Sequence, residues 1–160
     1  MPHLRKKYLK YKDYATATIN DIFTPEELKD AVQKTATNFS TSYIENKGTE
    51  GFVMKSLPIE AQFSVVFALQ SADFDHDGKK DILLGGNFYG VTPLLSRYDA
   101  SVGLLLKGDG KGNFIPVPTA ESGFVADGEV RDIQFITLAN GKKVALIMRN
   151  NEVVKVLEVL

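Results

Sequence analysis

Hydrophobic positions near the N-terminus recur at steps of three and four residues, which is the spacing of one helix face. These positions are Leu4, Tyr8, Tyr11, Ala15, Ile19 and Ile22. A second helix is predicted to begin at Thr24, because Pro25 suits the first helical position and Glu27 completes a capping box. Its apolar stripe continues to Phe39. We therefore predict a helical segment over residues 1–40.

From residue 41 to residue 160 the pattern changes to short apolar runs separated by turns rich in glycine and aspartate, which is typical of β-strands. The predicted strands cover residues 52–57, 63–69, 81–84, 103–106, 114–117, 130–138, 144–148 and 153–160. No helical pattern lies between them. The strands are therefore predicted to pair antiparallel rather than as β-α-β units.

Two sequence matches indicate an internal repeat. Residues 48–52 (GTEGF) match residues 110–114 (GKGNF), sixty-two positions later. Residues 77–84 (DGKKDILL) match residues 140–147 (NGKKVALI), sixty-three positions later. A unit of about sixty residues with four strands has the size of a large propeller blade. We predict a mainly β fold with N-terminal helices, in which about two antiparallel blades form a partial β-propeller.

Composition excludes several classes of protein. The 160-residue chain is 44% hydrophobic and 24% charged, which is ordinary for a folded domain. Nineteen basic and twenty acidic residues give a net charge of −1, which argues against a strongly basic nucleic-acid-binding protein. The absence of cysteine excludes disulfides and thiolate metal sites. We expect no membrane span and find no signal-peptide pattern, so an export signal would lie outside this chain.

The densest acidic segment is residues 73–81, with the sequence DFDHDGKKD. Carboxylates stand at its first, third, fifth and ninth positions, and glycine at the sixth allows a sharp turn. Clustered carboxylates repel one another unless a cation neutralises them, and hard oxygen ligands favour Ca²⁺. We predict one structural Ca²⁺ in this loop. The predicted ligands are Asp73, Asp75, Asp77, Asp81 and the backbone carbonyl of Lys79.

The sequence argues against several other metal-binding interpretations of this loop and leaves one metal-free alternative. An EF-hand needs a bidentate glutamate at position 12, where this chain has Leu84. A strand pattern follows the loop, whereas a dockerin-like loop is followed by a helix. Zn²⁺ is disfavoured without cysteine, and Mg²⁺ prefers fewer protein ligands. A solvated Asp-Gly turn that binds no metal is the remaining alternative.

The loop and its flanks resemble an FG-GAP/VCBS-type repeat, the blade unit of integrin-α-like β-propellers. The similar segments are residues 67–72 (FALQSA), 73–81, 82–87 (ILLGGN) and 103–114 (GLLLKGDGKGNF). The C-terminal part of long VCBS repeat proteins of the Bacteroidetes type, which often carry an ASPIC/UnbV region, is similar to residues 11–15, 57–64 and 128–133. The resemblance implies Ca²⁺ in the first repeat only. In the second repeat the four carboxylates are replaced by Ile136, Leu138, Asn140 and Val144.

A long loop between predicted strands carries aromatic and basic residues, and such loops often contact ligands. The candidate ligand contacts are Phe88, Tyr89, Arg97 and Tyr98. The basic run at residues 5–12 is more typical of a solvated helix face than of a nucleic-acid interface. No serine nucleophile with partnering histidine and aspartate is recognisable.

Together, the residues and the resemblance lead us to expect a calcium-binding, non-catalytic β-propeller-type module that binds a ligand or a protein at the cell surface. We expect an extracellular, cell-surface or periplasmic location. The expected partners are the rest of a larger repeat protein or another chain covering open sheet edges, with a glycan or protein as ligand and no nucleic acid. The alternative is an accessory domain or fragment of a carbohydrate-active enzyme.

Overall fold

The computed structural model describes residues 2–158, with side chains from residue 4 onward. The chain divides into two compact units, Met1–Phe39 and Ser40–Leu160. None of the described helices has the length and apolar composition that a membrane crossing requires. The last two positions of the predicted strand 153–160 lie outside the described residues.

In its described residues, the first unit contains four short helices. They are α1 (Pro2–Lys7), α2 (Tyr11–Ala15), α3 (Ile19–Ile22) and α4 (Pro25–Leu28). The capping box of α4 is confirmed, because the Thr24 hydroxyl accepts from the Glu27 backbone N–H at 3.3 Å and the Thr24 N–H donates to the Glu27 carboxylate at 2.8 Å.

The extents predicted for the two helices of this unit are wrong. The first is broken into three pieces, and residues 31–39 contain no helix. A short helix in water needs a packed apolar face to persist. The predicted stripe has no such packing, since Val32 is 83% exposed and Phe39 is 87% exposed.

The second unit is mainly β, as predicted, and its residues up to 158, the last one described, form nine strands. They are β1 (Ser42–Asn46), β2 (Phe52–Ser56), β3 (Val66–Ala72), β4 (Asp81–Gly86), β5 (Leu104–Gly108), β6 (Phe114–Val117), β7 (Val130–Thr137), β8 (Lys143–Arg149) and β9 (Lys155–Glu158). A one-turn helix, α5 (Thr119–Ser122), follows β6, and 3-10 turns occupy Gly48–Glu50, Ile59–Gln62 and Pro93–Leu95. Strand β1 was missed by the sequence analysis, and β3 lies three residues later than predicted.

These strands form three open sheets, with the orders β1-β2, β3-β4-β5-β6 and β7-β8-β9. Every pair of neighbouring strands is antiparallel, which confirms the predicted pairing. The described strands do not close into a propeller. Each sheet instead forms by consecutive hairpins along the chain.

The core lies on both faces of the four-stranded sheet. All six residues of β4 are buried, because this internal strand has apolar side chains on both faces. On one face, Leu83 packs with Val130 and Ile133 of the three-stranded sheet. On the other face, Ile82 packs with buried residues that precede β3, and Tyr43 of β1 packs against this cluster. Packing on both faces therefore fixes the position of β4, which begins at the last residue of the acidic loop (residues 73–81).

Candidate metal centre

The acidic loop connects β3 to β4, and Ala72 pairs with Asp81 across its base. His76 and Gly78 have positive φ values of 59° and 84°, so the chain turns sharply inside the loop. Glycine adopts this conformation without a steric penalty. The turn aims backbone N–H groups inward: the Gly78 N–H donates to Asp73 Oδ2 at 2.9 Å, and the Asp77 N–H donates to Asp73 Oδ1 at 3.1 Å.

Three carboxylates converge in this loop, and we call Asp73, Asp75 and Asp81 the three-carboxylate cluster. One oxygen from each lies within 4.8 Å of the other two. Asp81 is only 2% exposed. Its carboxylate accepts from the Phe74 N–H at 3.0 Å and from the Gly108 N–H at 2.9 Å, so it is fixed to β5 as well as to the loop. The cluster can hold a metal ion.

Two of the predicted ligands are not in this cluster. The Asp77 carboxylate accepts from the Lys79 N–H at 2.9 Å and forms an ion pair with the Lys79 ammonium at 3.1 Å. These contacts hold the pKa of Asp77 below its usual value, the backbone hydrogen bond from Lys79 being the largest cause. Coordination by Asp77 and by the Lys79 carbonyl stays a prediction.

Lys107 is part of the site, and the sequence analysis did not find it. It lies on β5, and its ammonium pairs with the carboxylate of Asp75 and with that of Asp77, the latter at 3.3 Å. The hydrogen bond from Lys107 lowers the pKa of Asp75, and the hydrogen bond to Asp75 raises the pKa of Lys107. A single lysine after three leucines in a strand is a weak signal, because the contact depends on how β4 and β5 pair.

The donor chemistry fits a hard divalent cation. All three side chains of the cluster offer carboxylate oxygens, which suit Ca²⁺ or Mg²⁺ better than a thiophilic metal. The three carboxylates carry three negative charges, and Lys107, which pairs with Asp75, compensates only one of them. A divalent ion that displaced this ammonium would supply two positive charges in its place.

The candidate ligand contacts lie elsewhere in the second unit. Three of them, Phe88, Tyr89 and Arg97, line one cavity with a volume of about 520 Å³. Tyr98 is not in its lining; its backbone pairs with that of Phe88 through hydrogen bonds of 2.8 and 3.0 Å. The rest of the lining is Gly90, Glu129, Arg131, Asn150, Asn151 and Glu152. These residues could not be assigned to the site from the sequence, because most lie forty or more positions beyond Tyr89 and share no local pattern with it.

Comparison with known proteins identifies no relative. No family model matches the chain, and neither the curated proteins nor the solved structures contain a match. The resemblance to FG-GAP/VCBS-type repeats therefore stays a prediction.

Proposed function

We propose that the second unit is a calcium-binding, non-catalytic β-propeller-type repeat module that binds a ligand or a protein at the cell surface. The observation that carries the proposal is the three-carboxylate cluster between two paired strands. It lies at the position that the resemblance assigns to the calcium loop. Asp73, Asp75 and Asp81 would hold the ion.

Calcium fits this loop better than magnesium. Ca²⁺ accepts six to eight oxygen ligands in flexible geometry, whereas Mg²⁺ demands a near-ideal octahedron and retains several waters. A loop with four carboxylates in nine residues offers many oxygens without rigid symmetry. When bound, the ion supplies positive charge that links the loop to the start of β4.

The corresponding loop of the second repeat supports a single ion per chain. The loop between β7 and β8 matches the acidic loop in sequence position but closes as a plain turn. The Leu138 N–H donates to the Lys142 carbonyl at 2.8 Å, and the Lys142 N–H donates to the Asn140 side chain at 3.0 Å. This turn contains no carboxylate, so we expect no metal there.

The proposed setting is outside the cytoplasm. Extracellular calcium modules bind with Kd of about 10⁻⁴–10⁻³ M, a range that suits an outer compartment and not the calcium-poor cytosol. The proposed partner is the rest of a larger repeat protein, or another chain, that covers the open sheet edges.

A second candidate function is an accessory domain of a carbohydrate-active enzyme. The observation that favours it is the cavity beside Tyr89, which combines aromatic rings with the carboxylates of Glu129 and Glu152. Sugar hydroxyls are recognised by such polar groups, and sugar rings pack on aromatic faces. Glycan binding accompanied by hydrolysis would favour this alternative.

Isothermal titration calorimetry of the metal-stripped chain with CaCl₂ and MgCl₂ tests the metal site. We expect one Ca²⁺ per chain with Kd of about 10⁻⁴–10⁻³ M and weaker Mg²⁺ binding. Asp75→Asn removes one negative ligand, so we expect its Ca²⁺ affinity to fall by about tenfold or more. Asp99→Asn makes the same change outside the cluster and serves as the matched control. No Ca²⁺ binding by the wild-type chain, or equal binding by Asp75→Asn, would contradict the proposal.

A further inference from the structure

The cavity beside Tyr89 is lined by equal numbers of positive and negative side chains, and these are not equally paired within the protein. It is lined by two arginines and two glutamates, together with two asparagines and the rings of Phe88 and Tyr89. Its volume of about 520 Å³ lies within the range of small-molecule sites, which is about 300–1,000 Å³. The hydrogen bonds of each charged group show which charges are already neutralised and which are available to a ligand.

Both glutamates are already paired within the protein. Glu129 is 3% exposed, and its carboxylate accepts from the Tyr89 N–H at 2.9 Å and from the Asn150 amide at 2.5 Å, in addition to its ion pair with Arg131. Glu152 forms an ion pair with Arg149 at 2.5 Å. Neither carboxylate therefore needs a cation from a ligand.

The arginines are less completely paired. Arg97 is exposed, and among the described side chains none forms an ion pair with it. Its guanidinium lies 4.7 Å from the ring centroid of Tyr89. The Nη1 group of Arg131 is buried and, within the described part of the chain, has no hydrogen-bond acceptor. Arg131 also stacks 4.2 Å from the ring centroid of Phe67.

Stacking leaves the edge of a guanidinium free. A planar guanidinium held against a ring keeps its N–H groups in the plane parallel to that ring, where a carboxylate can accept two of them. The Arg97 guanidinium lies over the Tyr89 ring and is exposed, so an anion can reach it. Asn151 lines the same cavity, and an asparagine amide can bond to hydroxyl groups.

We propose that this cavity binds a sugar that carries a carboxylate, such as a uronic acid unit, with Arg97 donating to the carboxylate and Asn151 contacting the hydroxyls. The inference rests on the ligand-binding half of the proposed function and names its ligand class. It does not depend on the metal site. A neutral sugar would leave Arg97 without a partner, and a simple carboxylate would not use the amide group of Asn151.

The test is to titrate the full chain with galacturonate, galactose and acetate and to monitor each titration by ¹⁵N-¹H NMR. Each titration is performed with Ca²⁺ and with EGTA, so that a failed metal site and a failed ligand site are distinguished. We expect galacturonate to shift the backbone resonances of Tyr89, Arg97 and Asn151 and to bind at least tenfold more tightly than galactose or acetate. Arg97→Gln is expected to weaken galacturonate binding about tenfold or more.

Lys143→Gln is the matched control, because Lys143 is an exposed cation of the same unit outside the cavity. We expect it to bind galacturonate as the wild-type chain does. The proposal is overturned if galacturonate does not bind, if galactose or acetate binds as tightly, or if Arg97→Gln matches the control. Because Arg97 is exposed, its replacement leaves the core intact, and the dispersion of the NMR spectrum verifies this.

Discussion

Some carboxylates in this protein are stabilised by hydrogen bonds from nearby backbone N–H groups as much as by neighbouring charges. Asp109 is the clearest case: its Oδ1 accepts from the Lys111 N–H at 2.7 Å and from the Asn113 N–H at 3.0 Å, and its Oδ2 accepts from the Asn113 amide at 2.6 Å. These bonds close the turn between β5 and β6. They lower the pKa of Asp109 to about 2, with the Asn113 side chain as the largest cause.

We expect an NMR titration to give Asp109 a pKa of about 2. A lowered pKa means that the ionised form is favoured in the folded state, so this contribution to stability is complete above the usual value of 3.8 and is lost as the pH falls towards about 2. Asn113→Ala removes the largest cause and should raise the pKa, while Asn140→Ala in the other turn should not. A wild-type pKa near 3.8 would contradict the assignment.

The positive charge of Lys107 neutralises part of the carboxylate charge that a metal ion would otherwise neutralise. Its replacement by glutamine removes two exposed ion pairs, which solvent screens strongly. Since the metal no longer has to displace the ammonium, we expect calorimetry to show a several-fold rise in Ca²⁺ affinity. Lys79→Gln removes only a pair with Asp77 and is the control with a smaller effect. Unchanged or weaker binding by Lys107→Gln would show that Lys107 does not compete with the ion.

Turns and helix caps, which depend on neighbouring residues, were predictable from the sequence. Helix lengths and contacts that depend on tertiary packing were not. The hairpin at residues 109–113 follows from its glycines, and α4 begins at the predicted cap. The helix predicted to continue to Phe39 fails because its stripe finds no partner. The acidic loop was predictable from the spacing of its carboxylates. Lys107 and Glu129 are brought to their sites by the way the strands pair, which a single sequence does not specify.

The close packing of β5 against the start of β4 can be tested by mutation. A Cβ added at Gly108 would lie 2.0 Å from the Lys80 carbonyl oxygen, so the backbone must move. We expect Gly108→Ala to lower the free energy of unfolding by about 1–3 kcal/mol or more, measured by urea denaturation. Gly90→Ala is the control with a milder cost, because its nearest neighbour is the ring of Phe88 at 2.9 Å. Equal stability of Gly108→Ala and wild type would contradict this packing.

At the scale of the molecule, the second unit is a set of three open sheets that leaves apolar side chains at the surface. Phe52 on β2 is 73% exposed, and Val156 on β9 is 56% exposed. Edge strands and apolar faces of this kind are usually covered in native assemblies. This exposure supports the proposed partner, either further blades or another chain.

Calorimetric melting of the chain in EGTA and in excess Ca²⁺, with Asp75→Ala as the matched variant, tests the central claim most directly. An ion that binds only the folded loop adds about 2.7 kcal/mol at a 100-fold excess over Kd, which corresponds to a rise in Tm of about 5–10 °C for a chain of this size. We expect this rise for the wild-type chain and little or none for Asp75→Ala. A wild-type Tm that is the same in EGTA and in Ca²⁺ would contradict a calcium-stabilised module.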